Sequence, residues 1–120
     1  MTHTLRLFLL IQGVSFGIAG LVHSGVLGNK RDQAASIAES TIAGVLLAGF
    51  ALTWVWASRT RPISRFVQIF ALLGTLVGAF TIAIGIGPRS LPDIAFHGAM
   101  VVVLAWGLIV AARAPARPAH

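Results

Sequence analysis

Residues 63–86 read ISRFVQIFALLGTLVGAFTIAIGI, and this stretch decides the fold class of the chain. Arg65 is its one charged residue, and a helix needs about 20 apolar residues to cross the hydrocarbon core of a bilayer. Apolar side chains occur on all sides without a period of two, which favours a helix over a strand. Similar stretches lie near residues 5–27, 36–57 and 94–112. The sequence predicts an all-α, polytopic membrane protein, an antiparallel bundle of four transmembrane helices.

The composition excludes a soluble globular domain and a disordered chain. Of the 120 residues, 57% are apolar and a further 13 are glycine, whereas only 10% are charged. Soluble domains have about 45–50% apolar residues, glycine included, and about 25% charged residues. A chain of this length leaves roughly a third of its surface in water after folding, so its apolar surface requires lipid. The absence of cysteine excludes disulfides, thiolate metal sites and thiol catalysis.

The connections between the predicted helices are short, at residues 28–33, 58–62 and 87–93. Short connections indicate neighbouring antiparallel helices, and their Gly and Pro residues are expected to end the helices. We therefore expect one domain over residues 1–120, with a short tail at 113–120. The first stretch is longer than a signal-peptide core, so we expect it to be retained. In outline the chain resembles small four-helix bacterial membrane proteins, a resemblance that implies no particular activity.

Basic residues lie at the edges of the apolar stretches and indicate orientation. The N-terminal segment, the middle connection and the tail together carry six Lys and Arg, against three in the other two connections. Because basic residues are retained on the cytoplasmic side, both termini are predicted in the cytoplasm of a bacterial-type inner membrane. Trp54, Trp56 and Trp106 fall at the same end, as an aromatic belt would. The formal net charge of +6 therefore indicates the lipid bilayer as partner, and not nucleic acid.

Ionisable residues are rare in the predicted spans, and such residues usually face the bundle and have partners. His23 lies about one turn before the outer end of the first span, and Glu39 lies about one turn into the second. Asp93 and His97 are four residues apart on one face of the fourth, and Arg89 follows the third. The topology brings all five to one depth. We therefore expect a polar pocket near the outer surface.

The same residues allow two interpretations. One is a structural lock, in which Glu39 pairs with a protonated histidine or with Arg89, while Asp93 caps the fourth helix. The other is a site for a ligand or a proton. Two stripes of small and polar residues are predicted to line a narrow cleft open to the outside, formed by Gln12, Ser15, Ala19 and His23 on the first helix and by Gln68, Leu72, Thr75 and Ala79 on the third.

Three functions are compatible with such a pocket. The preferred one is a non-enzymatic membrane subunit, or a proton-linked protein that binds or transports a small ligand. The second is a membrane-embedded enzyme for a lipid-soluble substrate, with Glu39 and His97 as acid and base. The third is a haem- or metal-binding electron-transfer subunit, with His23 and His97 as haem ligands. Neither H-x-x-x-H nor H-E-x-x-H occurs, so no metal site is assigned and no cofactor is identified.

Small residues and basic residues indicate how the helices pack and anchor. Gly13-x-x-x-Gly17 and Gly74-x-x-x-Gly78 allow close approach of helix backbones. We favour packing within the chain over association into a homo-oligomer or a larger membrane complex. The middle connection is expected to lie against anionic lipid of the inner leaflet, through Arg59, Arg61 and Arg65.

Overall fold

The computed structural model describes residues 1–26, 32–87 and 90–113. The described residues form four α-helices, together with one turn of 3-10 helix between the second and the third. All four helices are long and apolar enough to span a membrane, which confirms the predicted all-α class and the number of such helices. Their bounds are Thr2–His23 for α1, Gln33–Val55 for α2, Thr60–Ala83 for α3 and Leu91–Arg113 for α4, with the 3-10 turn at Ala57–Arg59.

Two helices end earlier than predicted, because a glycine follows each of them. α1 ends at His23 and not at residue 27, and α3 ends at Ala83 and not at residue 86. Gly25 has a φ of 86° and Gly85 has a φ of 84°. This left-handed conformation terminates a helix and is readily adopted only by glycine.

Two prolines were predicted to stop helices and instead lie inside them. Pro62 falls in the first turn of α3 and Pro92 in the first turn of α4. A backbone N–H in the first turn has no partner within the helix, so proline loses nothing there. The prediction is therefore wrong by a few residues: α3 begins at Thr60 and α4 at Leu91.

The two ends of the α1–α2 pair are held by hydrogen bonds. Arg6 donates from Nε to Thr53 Oγ1 at 3.2 Å and from Nη2 to the Thr53 carbonyl at 2.6 Å. Its guanidinium lies 3.8 Å from the ring centroid of Trp54, which adds a cation–π contact. At the other end, the Asp32 N–H donates to the His23 carbonyl at 2.8 Å. Arg6 is therefore a buried structural contact as well as a basic residue at a helix edge.

Two arginines of α3 bind the end of α4. Arg61 donates from Nε to the Ala111 carbonyl at 3.1 Å and from Nη2 to the Ala112 carbonyl at 3.2 Å. Arg65 donates to the Ala112 carbonyl at 3.5 Å. These carbonyls lack partners within the helix, and the cations complement its dipole. Two of the three arginines expected to face lipid are thus engaged by protein.

The four helices share one core, and their outward faces are also apolar. Phe66, Val77 and Leu73 are 71%, 63% and 59% exposed. Such extensive exposed apolar surface is unusual in a soluble monomer and is what helices facing lipid require. The buried core is formed by Leu9, Phe16, Ile42, Ala43, Leu46, Val67, Ala71, Met100 and Leu104.

The small-residue motifs serve packing within the chain. A Cβ on Gly13 would lie 2.7 Å from Leu47 Cδ2, and one on Gly74 would lie 2.9 Å from Ile42 Cδ1. Both glycines therefore permit close contact with α2. Association between chains stays a prediction.

A polar cluster lies in the middle of the core. Gln12 Nε2 donates to Gln68 Oε1 at 2.9 Å, and Gln68 Nε2 donates to Ser64 Oγ at 2.8 Å. All three side chains are fully buried. A Cβ on Gly107 would overlap Gln68 Oε1, so the bare backbone of α4 makes room for this amide. The two glutamines face inward as predicted, but they are closed in the core and do not line an open cleft.

Candidate functional site

The structure joins three of the five predicted pocket residues by side-chain hydrogen bonds, and a fourth, His97, lies beside them. His23 Nδ1 lies 2.6 Å from Glu39 Oε2, and His23 Nε2 lies 2.8 Å from Asp93 Oδ1. The side chains of His23, Glu39 and Asp93 are only 12%, 6% and 15% exposed. One imidazole thus joins carboxylates from two different helices. We call these three residues the carboxylate–histidine cluster.

Helix ends position two members of this cluster, His23 and Asp93. His23 is the last residue of α1, and its carbonyl accepts from the Asp32 N–H at the start of α2. Asp93 lies in the first turn of α4, where Ser90 and Asp93 form a capping box. The Ser90 N–H donates to Asp93 Oδ2 at 3.1 Å, and the Asp93 N–H donates to Ser90 Oγ at 3.3 Å. One oxygen of Asp93 therefore caps α4 while the other binds His23.

The two hydrogen bonds of His23 require one proton more than a neutral imidazole between two carboxylates carries. A neutral imidazole has one N–H, but each of its ring nitrogens here faces a carboxylate oxygen. Both bonds form only when the cluster holds two protons, either on the imidazolium or shared with one carboxyl group. The cluster then carries a net charge of −1. Removing the second proton would place a nitrogen lone pair against a carboxylate oxygen and break one bond.

His97 lies beside the cluster and is not bonded to Glu39. Its Nδ1 lies 2.8 Å from the carbonyl oxygen of Asp93. A carbonyl only accepts, so Nδ1 carries the hydrogen, and in the neutral ring Nε2 is left as an acceptor. Within the described residues, the predicted acid and base, Glu39 and His97, therefore make no hydrogen bond to each other, and Glu39 Oε2 bonds His23 instead.

A cavity of about 200 Å³ lies between α2, α3 and α4. Glu39 and His97 both line it, as do Thr75 and Thr81 of α3. An engineered cavity of about 150 Å³ in another protein accommodates benzene. The volume therefore suits a ligand of roughly six to ten non-hydrogen atoms. Its apolar walls include Phe16, Ile42, Val77 and Ile86.

The polar side chains of α2, α3 and α4 that line this cavity present hydrogen-bond acceptors. Thr75 donates its hydroxyl proton to the Ala71 carbonyl, and Thr81 donates to the Gly78 carbonyl, each at 2.7 Å. Both hydroxyls therefore offer only lone pairs to the cavity. Within the described part of the chain, Glu39 Oε1 and His97 Nε2 have no hydrogen-bond partner. A complementary ligand must donate hydrogen bonds.

Some elements of this site were not anticipated from the sequence. Thr81 was not singled out, and Gly78 was interpreted only as a packing residue. A Cβ on Gly78 would lie 2.8 Å from His97 Nε2, so this glycine makes space for the ring. The spacing of Thr81 three residues after Gly78 was the available signal, because it places both on one helix face. Arg89 lies outside the described residues.

The contacts of His23 bear on the haem and metal interpretations. Both of its ring nitrogens are engaged by carboxylates, so neither is free to ligate iron. Over residues 1–26, 32–87 and 90–113, no group of three His, Asp or Glu side chains is arranged to hold a metal ion. The geometry therefore favours a site for a hydrogen-bond donor over a haem or metal centre.

Replacing Gly78 by Ala is expected to displace the His97 ring and break its bond to the Asp93 carbonyl. The expected loss of unfolding free energy is about 1 kcal/mol, the usual worth of one such bond. Gly44→Ala is the matched control, because a Cβ there would meet nothing within 4 Å. Unfolding followed by circular dichroism in micelles would compare the two. Equal stability of both variants would contradict the close contact between Gly78 and His97.

Comparisons of the chain with protein-family models, with curated proteins and with solved structures give no match. Function is therefore inferred from the cavity and the chemistry of its walls. The informative features are the carboxylate–histidine cluster and the acceptors that face the cavity.

Proposed function

We propose that the protein is a multi-pass inner-membrane protein, an antiparallel bundle of four helices with both termini in the cytoplasm. The apolar outward faces support insertion into lipid. The pairing of Arg6 with Thr53 and of His23 with Glu39 supports opposite directions for α1 and α2, because each contact joins the start of one helix to the end of the other. The excess of basic residues at the end with both termini supports the orientation.

Within this topology, the outer cavity binds a small cation that donates hydrogen bonds, such as a primary ammonium ion. The observation that carries this function is the acceptor-only polar lining around Glu39. A carboxylate in an apolar site attracts a cation more strongly than it would in water. The apolar walls would hold the hydrocarbon part of the ligand. The role is non-enzymatic binding or transport.

Binding is linked to a proton through the carboxylate–histidine cluster. An ammonium ion bound at Glu39 Oε1 adds a positive charge to a cluster of net charge −1. This positive charge favours the deprotonated form of the cluster, so the second proton is released to solvent. One cation enters as one proton leaves, so the total charge of the site is conserved. This exchange is the basis for proton-linked binding or transport.

Wild-type protein is expected to bind benzylammonium and cyclohexylammonium but not benzoate or cyclohexanecarboxylate. Glu39→Gln is expected to abolish ammonium binding, because the amide retains an acceptor for His23 but lacks the charge. The measurement is the rise in thermal unfolding midpoint of detergent-solubilised protein with added ligand. Thr41→Val is the matched control on α2, since Thr41 is exposed and bonds only its own helix at the Ile37 carbonyl.

Two results would overturn this function. One is equal stabilisation of the wild type by the ammonium and the carboxylate of the same skeleton. The other is full retention of ammonium binding by Glu39→Gln. Calorimetric titration in two buffers of different ionisation enthalpy tests the proton linkage separately. Proton release per bound cation supports the exchange, and a binding enthalpy independent of buffer contradicts it.

The enzyme alternative has less support from the geometry. Glu39 and His97 line the same cavity, as an acid and a base would, but Glu39 Oε2 is held by His23. The acceptor-only lining instead favours binding of a donor.

A further inference from the structure

A second and larger concavity lies on the outside of the bundle between α2 and α3. Its volume is about 860 Å³, within the roughly 300–1,000 Å³ typical of ligand sites. Gly49 and Val67 are buried residues that line it. The other walls are half-buried or exposed, and mostly apolar. We call this surface the α2–α3 groove, lined by Val45, Ala48, Gly49, Leu52, Trp56, Ser58, Arg59, Pro62, Ile63, Phe66 and Val67.

The length of the groove matches one leaflet of a bilayer. It extends from Val45 of α2 to Trp56, the residue that follows this helix, which is about 16 Å at 1.5 Å per residue. The hydrocarbon core of a bilayer is about 30 Å thick, so one leaflet contributes about 15 Å. An acyl chain lying parallel to α2 would therefore fit along the groove, with its terminus near the bilayer centre.

The polar end of the groove carries a cationic side chain that has no hydrogen-bond partner within the described residues. Arg59 closes this end together with Ser58, in the 3-10 turn between α2 and α3. The Arg59 side chain is exposed and makes no hydrogen bond to any residue that the structure describes, although its backbone N–H donates to the Trp56 carbonyl. Arg61 and Arg65, by contrast, bind the carbonyls that end α4. Trp56 lies next to it, as expected of a residue at the headgroup level.

We propose that the α2–α3 groove is a specific site for one anionic phospholipid of the cytoplasmic leaflet. The phosphate group lies at Arg59 and Ser58, and one acyl chain lies along the apolar walls. The charge of Arg59 complements the phosphate, and the groove holds one cation at its interfacial end and none along its length. This inference rests on the proposed membrane topology, but it is independent of the ligand of the outer cavity.

The site is tested by native mass spectrometry of protein released from nanodiscs containing phosphatidylglycerol and phosphatidylcholine in equal amounts. Wild-type protein is expected to retain phosphatidylglycerol in preference. Arg59→Gln is expected to lower that preference about fivefold, the effect of one interfacial basic residue. Arg113→Gln is the matched control, since Arg113 is an exposed arginine of α4 that does not line the groove.

A second pair of variants tests the position of the acyl chain. Ala48→Trp fills the groove from an exposed position on α2, and Ala51→Trp adds the same bulk to an exposed position outside it. Retention of phosphatidylglycerol is expected to fall with Ala48→Trp and to be unchanged with Ala51→Trp.

Three results would overturn the proposal. They are equal retention of the two lipids by the wild type, equal effects of Arg59→Gln and Arg113→Gln, and unchanged retention in Ala48→Trp. Each leaves the ammonium-binding test of the outer cavity unaffected. Failure of the lipid site and failure of the proposed function are therefore distinguishable.

Discussion

Replacing His23 by Ala is expected to lower the unfolding free energy by about 3–5 kcal/mol, the usual cost of removing one partner from a buried charged pair. The substitution removes the donors to Glu39 Oε2 and Asp93 Oδ1 together. It leaves two carboxylates in a largely buried site, with side-chain exposures of 6% and 15%. The change also removes the side-chain hydrogen bonds that join α1 to α2 and to α4 at this end of the bundle.

Chemical unfolding in micelles, followed by circular dichroism, would measure this loss. His3→Ala is the matched control on α1, because His3 is exposed and its replacement is expected to cost no more than about 0.5 kcal/mol. Replacing His23 and Glu39 together by Leu is expected to recover part of the lost stability, since it removes one of the two unpaired carboxylates and leaves only Asp93 without its partner. Equal stability of His23→Ala and His3→Ala would contradict the two hydrogen bonds of His23.

Replacing Gly107 by Ala is expected to lower the unfolding free energy by about 2–4 kcal/mol, from overpacking and from a lost buried hydrogen bond together. The added Cβ would overlap Gln68 Oε1 and lie 3.0 Å from Gln12 Nε2. Gln68 must then move, which breaks its bond from Gln12 in the middle of the core. Both amides are fully buried, so water does not replace that bond and the loss is not compensated.

Gly98→Ala is the matched control for this variant. Gly98 is in the same helix, and a Cβ there would meet nothing within 4 Å. The control is expected to be neutral or more stable by up to about 1 kcal/mol, the difference in helix propensity between Ala and Gly. The double variant Gly107→Ala with Gln68→Ala should be more stable than the sum of the single losses predicts, because the overlap is gone. Similar stability of Gly107→Ala and Gly98→Ala would contradict the contact with Gln68.

The carboxylate–histidine cluster joins the two interpretations that the sequence left open. Glu39 Oε2 bonds His23 and so contributes to a structural lock between α1 and α2. The same side chain lines the outer cavity. A structural role and a role in ligand binding are therefore compatible at Glu39. Comparing stability with ammonium binding in Glu39→Gln separates the two contributions.

The secondary structure followed largely from the sequence, and the errors lay at helix ends. Long apolar stretches bounded by glycine specify helices because lipid leaves no other partner for backbone groups. Pro62 and Pro92 were predicted to end helices. Proline is equally compatible with the first turn of a helix, and composition does not distinguish a proline after a helix from one in the first turn of the next. Likewise, Gly25 and Gly85 end helices that hydropathy alone would continue.

The site was predicted as a group of residues and not as a set of bonds. Helical periodicity and short connections place His23, Glu39 and Asp93 at one depth, because residues near joined helix ends must be neighbours. They do not specify which oxygen faces which nitrogen. Whether Glu39 bonds His23 or His97 depends on side-chain positions to within about an ångström, which the sequence does not specify. The fifth predicted residue, Arg89, lies outside the described residues.

By itself the sequence determined an all-α chain with four helices of membrane-spanning length, since apolar composition and the demand of the backbone for internal hydrogen bonds admit few other structures. Only the tertiary structure decided what the rare polar residues do. It placed Gln12 and Gln68 in a closed pair, used both nitrogens of His23 for carboxylates, and left Glu39 facing a cavity lined by acceptors. The physical reason is that hydropathy is a property of each segment, whereas hydrogen bonding between helices depends on how the segments pack.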